Sequence, residues 1–209
     1  MRCEKCLPEF PYRAHSRVVN QANQVKTLVC CDVAVDQSCE ERDQDDALNP
    51  LYLVGYQPDG IHGGSMRFLP TTGRVMVNEI FGHLTGGVPI CSPFIWECTR
   101  FCLARDASSK VAAALMLGGG EIMRNFSVEH FVGVFDRRMI RIYRAIGSSP
   151  EVLGTEGTGR DQINVGLWEF TPGSYDMVAQ RAGIAPETSR VWFDRSFGGA
   201  LAQPMALSA

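Results

Sequence analysis

The chain has 209 residues and a mass of 23.0 kDa, the length of one domain with room for a terminal extension. It is 45% hydrophobic and 21% charged, which excludes disorder as the main state and allows a sizeable core. The formal net charge of −3 argues against nucleic acid as a partner, and no apolar run is long enough for a bilayer, which argues against a membrane. Met1 to Tyr12 is charged and broken by Pro8 and Pro11, unlike a secretory leader, so the expected location is cytoplasmic.

In chain order, residues 13–29 read as a weak helix, with Val18, Val19, Ala22, Val25 and Leu28 at mixed helical spacing. Residues 31–50 are polar and acidic and read as a loop. Leu51–Tyr56 and Ile61–Leu69 are strands around a Pro58-Asp59-Gly60 turn, a hairpin pattern. A short helix is expected around Val75–Leu84 and an apolar strand over Phe94–Leu103. Ser108 or Ser109 caps a helix over residues 110–126, with Gly118-Gly119-Gly120 inside it marking close packing or a break. His130–Phe135 is a strand, Asp136–Ile146 a helix, and Val152–Thr155 and Ile163–Phe170 are strands. Beyond Thr171-Pro172-Gly173, Tyr175–Ala182 and Pro186–Phe197 form two helices of a C-terminal tail. Hairpin strands followed by alternating helix and strand indicate an α/β layered domain with a mixed sheet.

The eight cysteines all lie at or before Cys102. Without a secretory leader they are expected as thiols. The pair Cys3 and Cys6 has zinc-type spacing but no second pair, and His15, His62, His83 and His130 show no ligand spacing, so no metal is expected. Cys98 and Cys102 read as small core residues.

Three clusters carry possible chemistry. Glu41, Asp43 and Asp46 lie in the acidic loop, as a solvated run or as holders of a cationic ligand. Arg67 lies among strand apolars, where an arginine requires an anionic or polar partner. Glu97 and Arg100 interrupt the apolar strand Phe94–Leu103. Strict alternation puts them on opposite faces, and a β-bulge between them would turn both to one side. A structural ion pair of Glu97 with Arg67 is the alternative to a site.

Ordered blocks then resemble the acyl-homoserine lactone (autoinducer) synthases of the LuxI type. They are Glu41-Arg-Asp-Gln-Asp-Asp46, Tyr52-Leu-Val54, Arg67-Phe-Leu-Pro-Thr-Thr-Gly73, Trp96-Glu-Cys-Thr-Arg-Phe101, Phe131-Val-Gly-Val-Phe-Asp136, Arg141-Ile-Tyr143, Leu153-Gly-Thr-Glu156 and Gly166-Leu-Trp-Glu-Phe170. The resemblance covers about residues 30–170 and implies an N-acetyltransferase-like layered fold. In that fold a twisted mixed sheet has helices on both faces and a cleft where central strands splay. Residues 1–170 form this domain and 171–209 the helical tail. The implied substrates are S-adenosylmethionine, which is a substrate and no cofactor, and an acyl-carrier-protein thioester. The products are an N-acyl-homoserine lactone, methylthioadenosine and free carrier.

The resemblance puts Glu41, Asp43, Asp46 and Arg67 on the substrate, with the acids facing its cationic sulfonium and amine. Glu97, Thr99 and Arg100 become catalytic: Glu97 takes the amine proton, Thr99 orients the thioester or a water, and Arg100 pairs with a carboxylate. Where the family has an Arg, a Phe, a Trp and a further aromatic, this chain holds Gln21, Val25, Cys31 and Asp45. A non-catalytic homologue that binds carrier or ligand is the alternative reading. An acetyl-coenzyme-A N-acetyltransferase fits less well, because Leu103–Lys110 lacks the glycine turn that cradles a pyrophosphate. An acidic carrier protein needs a basic docking face. Arg137, Arg141 and Arg144 fall on one face of the Asp136–Ile146 helix, opposite Met139, Ile142, Tyr143 and Ile146.

Overall fold

Alternating apolar residues build the centre of the sheet, because successive strand side chains point to opposite faces. In β2 (Leu51–Tyr56), Leu53 enters the core with Met66 and Phe68 of β3 (His62–Pro70), while Tyr52, Val54, Ser65 and Arg67 occupy the other face. The computed structural model describes residues 28–29, 48, 50–56, 61–105 and 107–197. Its seven strands follow the order β1-β2-β3-β4-β5-β7-β6. The remaining strands are β1 (Leu28–Val29), β4 (Ile95–Leu103), β5 (His130–Asp136), β6 (Glu151–Glu156) and β7 (Ile163–Glu169). The β1–β2 and β4–β5 pairs are parallel and the others antiparallel, so the sheet is mixed, as expected.

Helix α2 (Ser109–Asn125) crosses one face, and α3 (Arg137–Ile146), α4 (Pro172–Ala182) and α5 (Pro186–Phe197) join it there. Ser108 starts α2 by accepting the Lys110 amide at 3.3 Å. The triple glycine does not break the helix. A Cβ on Gly120 would stand 3.0 Å from the Tyr175 ring, and one on Gly119 would stand 3.4 Å from Phe131, so bare backbone lets α2 sit close to α4 and the sheet. Phe193 and Phe197 of α5 join the core that also holds Phe68, Leu115 and Phe131.

The opposite face carries the short helix α1 (Met76–Glu79) and a 3-10 turn over Gly82–Thr85. Val75, Val77, Leu69, Val132 and Val165 pack there as a second core. The turn closes over edge strand β6, where a Cβ on Gly154 would stand only 1.9 Å from the Leu84 carbonyl oxygen.

Two expectations change. Leu28 and Val29 are strand rather than helix, paired in parallel with Leu53 and Val54. The single helix expected around Val75–Leu84 is instead α1 plus the 3-10 turn. The rest of the 13–29 helix, the acidic loop apart from residues 48 and 50, and the Pro58–Gly60 turn lie outside the described residues. Among the described residues no helix is long and apolar enough to cross a membrane, and no cluster of three metal-ligating side chains occurs.

Candidate functional site

Strand register arranges the polar residues of the α1-covered face in rows. Tyr52 on β2 stands opposite Arg67 on β3, and Arg67 stands opposite Thr99 on β4. The next row along is Val54, Ser65 and Cys102; on the other side lie Leu69, Glu97 and Val132. Arg67 is only 3% exposed, and its Nε donates to Thr99 Oγ1 at 3.0 Å. This meets the requirement that a buried arginine find a partner. Ser65 Oγ and Cys102 Sγ lie 3.2 Å apart.

Glu97 is 1% exposed. Its Oε1 accepts the Val77 amide at 2.6 Å and its Oε2 accepts the Met76 amide at 3.1 Å. These amides open α1, whose N-cap residue Val75 supplies no side-chain bond of its own. A strand carboxylate thus caps a helix that is 20 residues away in sequence. Burial, reinforced by the neighbouring Glu97 charge, pushes the Cys98 thiol far above its ordinary range, so Cys98 stays protonated. That agrees with its place against the helix-side core.

A bulge is present in β4, but at Arg100 and Phe101 rather than between Glu97 and Arg100, and the register from Glu97 to Thr99 is regular. Ser65 pairs with Cys102 and Arg67 with Thr99, so Met66 faces both Arg100 and Phe101. Arg100 adopts a left-handed conformation with φ 52°. An L-residue there costs about 1–2 kcal/mol, and bulges cluster beside active sites. The extra residue returns Phe101 and Leu103 to the helix-side core.

The central strands also part here. β4 and β5 are in register only from Ile95/His130 to Glu97/Val132, although β4 continues to Leu103 and β5 to Asp136. A V opens beyond Glu97, with Thr99 and Arg100 along one arm. On the helix side, a cavity of about 40 Å³ is bounded by Met66, Met116, Met123, Phe131, Trp168 and Tyr175. Glu41, Asp43 and Asp46 lie outside the described residues; among the described ones, Arg67, Glu97 and Thr99 share one face, and Arg100 adjoins them in β4 at the bulge opposite Met66.

The basic helix is as drawn. Asp136 caps it by accepting the Arg138 amide at 2.7 Å and the Met139 amide at 3.3 Å. Tyr143 and Ile146 are buried, Met139 and Ile142 half-buried, and Arg137, Arg141 and Arg144 exposed. This face is separate from the Arg67 row.

Sequence reading did not single out Glu121, which is 0% exposed. Its carboxylate accepts short hydrogen bonds from the Tyr175 hydroxyl and Arg124, and a longer one from Asn125 at 3.3 Å. An acid inside the apolar periodicity of α2 was the available signal. Tyr52 was also missed as a site neighbour; its parity in β2 would have placed it beside Arg67.

The sequence model of the autoinducer synthase family matches residues 26–170. The chain belongs to the autoinducer synthase family. The family match takes in the described row of Arg67, Glu97, Thr99 and Arg100 together with α3. The chain is 41% identical over 138 residues to an acyl-homoserine-lactone synthase of Rhizobium etli, which covers 63% of this chain and 65% of that protein. It is 44% identical over 119 residues to one of Acinetobacter nosocomialis, covering 52% and 65%. The chain therefore spans just under two thirds of these relatives. Among solved structures, MesI, described as a CoA-dependent acyl-homoserine lactone synthase, matches with a TM-score of 0.62 at 27% identity, covering 73% of this chain and 78% of that one. The synthase LasI matches in fold with a TM-score of 0.58.

Proposed function

We propose that the protein is an acyl-homoserine lactone synthase, an acyltransferase that uses S-adenosylmethionine and an acyl thioester. The observation that carries this reading is the buried Arg67–Thr99 pair beside a bulged Arg100, at the point where β4 and β5 part. An anionic group and a flat carbonyl can approach there along the edges of splayed strands, and arginine forks suit carboxylates.

The amine of S-adenosylmethionine first gives its proton to a carboxylate of the site or a water that one holds. Its nitrogen attacks the thioester carbon, the carbon–sulfur bond breaks, and the thiol carrier leaves. A carboxylate oxygen of the same substrate then attacks the carbon next to the sulfonium. The lactone ring closes as methylthioadenosine departs. The second step is intramolecular and requires a folded conformer rather than a further catalyst. Arg67 and Arg100 hold the carboxylate, Thr99 orients the thioester, and Glu41, Asp43 and Asp46 face the cationic groups. The acyl chain follows the V between β4 and β5 towards the apolar cavity beneath Met66 and Phe131.

The donor is an acyl-carrier protein in this reading, because exposed Arg137, Arg141 and Arg144 offer an acidic partner a local basic face. Similarity to the CoA-dependent MesI favours a coenzyme-A thioester as the second reading. Incubating the protein with S-adenosylmethionine and either thioester, and weighing the products, tests both. A lactone with equimolar methylthioadenosine is expected from the carrier-protein donor. Product from the coenzyme-A donor alone would transfer the assignment to that substrate, and no product from either would leave the non-catalytic homologue.

A further inference from the structure

We propose that Glu97 is a positioning residue, which holds the segment of residues 71–94 over the β3–β4 row from the apex of the strand V, and that the amine proton goes to another group. The kinetic part of this inference rests on the synthase reading.

Among the described residues, each Glu97 oxygen accepts an amide of α1, at 2.6 and 3.1 Å. Hydrogen bonds from two amides favour the anion and make a carboxylate a weak proton acceptor. A base that is protonated once per turnover would also disturb those bonds once per turnover. Of the two donors, Val77 is 0% exposed and Met76 is half-buried. Without Glu97 the buried Val77 amide would lose its partner inside the fold, and the half-buried Met76 amide would lose its own.

The segment is fastened at its ends by other groups. Thr71 Oγ1 donates to the carbonyl of Ile95 at 2.8 Å and accepts the Ser92 amide at 3.0 Å. Asn78 exchanges two bonds with Ile90, at 2.8 and 2.9 Å. Glu97 ties the middle of the segment to β4, two residues from the Thr99 that holds Arg67. It is also the last β4 residue in register with β5. Any shift of α1 is therefore transmitted to the strand arm that carries Thr99 and Arg100. Among the described residues, the charged groups of the adjoining elements include Arg67 on β3, Arg100 on β4, and Arg74 before α1 with Glu79 at its end, which pair with each other at 2.5 Å.

Two variants of the full chain separate positioning from proton transfer. Glu97→Gln is isosteric but turns one acceptor into a donor that faces an amide. Met76→Pro leaves the acid intact and deletes one of its two donors in α1. Proline is tolerated at the first helical position, and Val75 before it is already extended, with φ −140° and ψ 145°. The readouts are amide hydrogen exchange and the pH profile of kcat/KM for methylthioadenosine release.

In Glu97→Gln, exchange at Met76 and Val77 should quicken at least about tenfold while β5 amides keep their protection. Its kcat/KM should fall by up to about a hundredfold at every pH, with the acid limb where the wild type has it. Met76→Pro should give a smaller fall and the same limb, with Val77 exchange quickened. Loss of the limb in Glu97→Gln, or its movement to higher pH in Met76→Pro, would make Glu97 the proton acceptor and overturn the proposal. Unchanged protection of Met76 and Val77 in Glu97→Gln would overturn it as well. A wild type that releases no methylthioadenosine removes the synthase reading alone, and the exchange of these two amides then decides the anchoring.

Discussion

Tyr175 and Glu121 show what a single buried pair does in this molecule. Tyr175 is 7% exposed and donates to a carboxylate that is wholly buried. Burial, and then the bond to Glu121, push its phenol up to about 12 from an ordinary 10.0. The folded state therefore keeps the neutral phenol longer than the unfolded chain does. This contribution is complete below pH 10 and is lost as pH climbs through 12. Tyr175→Phe removes the donor and leaves Glu121 one partner short, at a cost of about 1–3 kcal/mol near neutrality. For a chain of this size that lowers Tm by roughly 2–4 °C per kcal/mol. The gap in Tm between wild type and Tyr175→Phe should narrow from pH 9 to pH 11, because only the wild type has this group to ionise. A gap that is constant or widening across that range would show that Tyr175 does not titrate as this pairing requires.

Among elements, α3 shows how much a short sequence stretch can specify. Asp136, the apolar spacing of Met139, Ile142, Tyr143 and Ile146, and Gly147 at φ 87° fix its start, buried face and end. Burial alone would push the Asp136 carboxyl up. The side-chain and backbone bonds with Arg138, its charge and the Met139 amide outweigh that and hold it below its ordinary range. Its stabilisation is therefore present above the unfolded value of 3.8 and lost as pH falls through the lower folded value. Asp136→Ala should cost about 0.5–2 kcal/mol at pH 7, and the difference from wild type should shrink in melts below pH 4. Helix α2 was equally legible, since Ser108 and a long apolar pattern outweigh three glycines. Leu28 and Val29 were not, because parallel pairing to Leu53 and Val54 is a long-range contact with no local mark. The helix expected at Val75–Leu84 was legible only in part: α1 has four residues and takes its cap from Glu97 rather than from its own neighbours. The site divides in the same way: charges in apolar strands marked Arg67, Glu97 and Arg100 and the family resemblance added Thr99, but tertiary bonds alone reveal that Glu97 faces α1.

At the scale of the whole molecule, charge has to be read by location. The chain carries a formal −3, so an acidic carrier protein meets weak repulsion at long range. Attraction has to come from a patch closer than the Debye length, about 8 Å at physiological salt. The exposed face of α3 is the patch proposed for it, and its four arginines are not equivalent. Arg138 spends its guanidinium on Asp136, at 2.8 and 3.1 Å, so its field is largely cancelled. Arg137, Arg141 and Arg144 are exposed and point away from the stripe that Tyr143 and Ile146 bury. Replacing these three by Glu should weaken carrier binding about ten- to a hundredfold at low salt and flatten its dependence on ionic strength. Arg138→Ala should have much less effect on both. The fold should tolerate the triple change, since none of the three side chains contributes to the core; a Glu at position 144 sets an acid at the helix C-terminus, worth about 0.3–1 kcal/mol. Affinity titrations across a salt series, with melting curves as the control for folding, measure all of these quantities. An unchanged affinity and salt slope in the triple variant would move the docking surface off α3 and leave a small thioester as the better-supported donor.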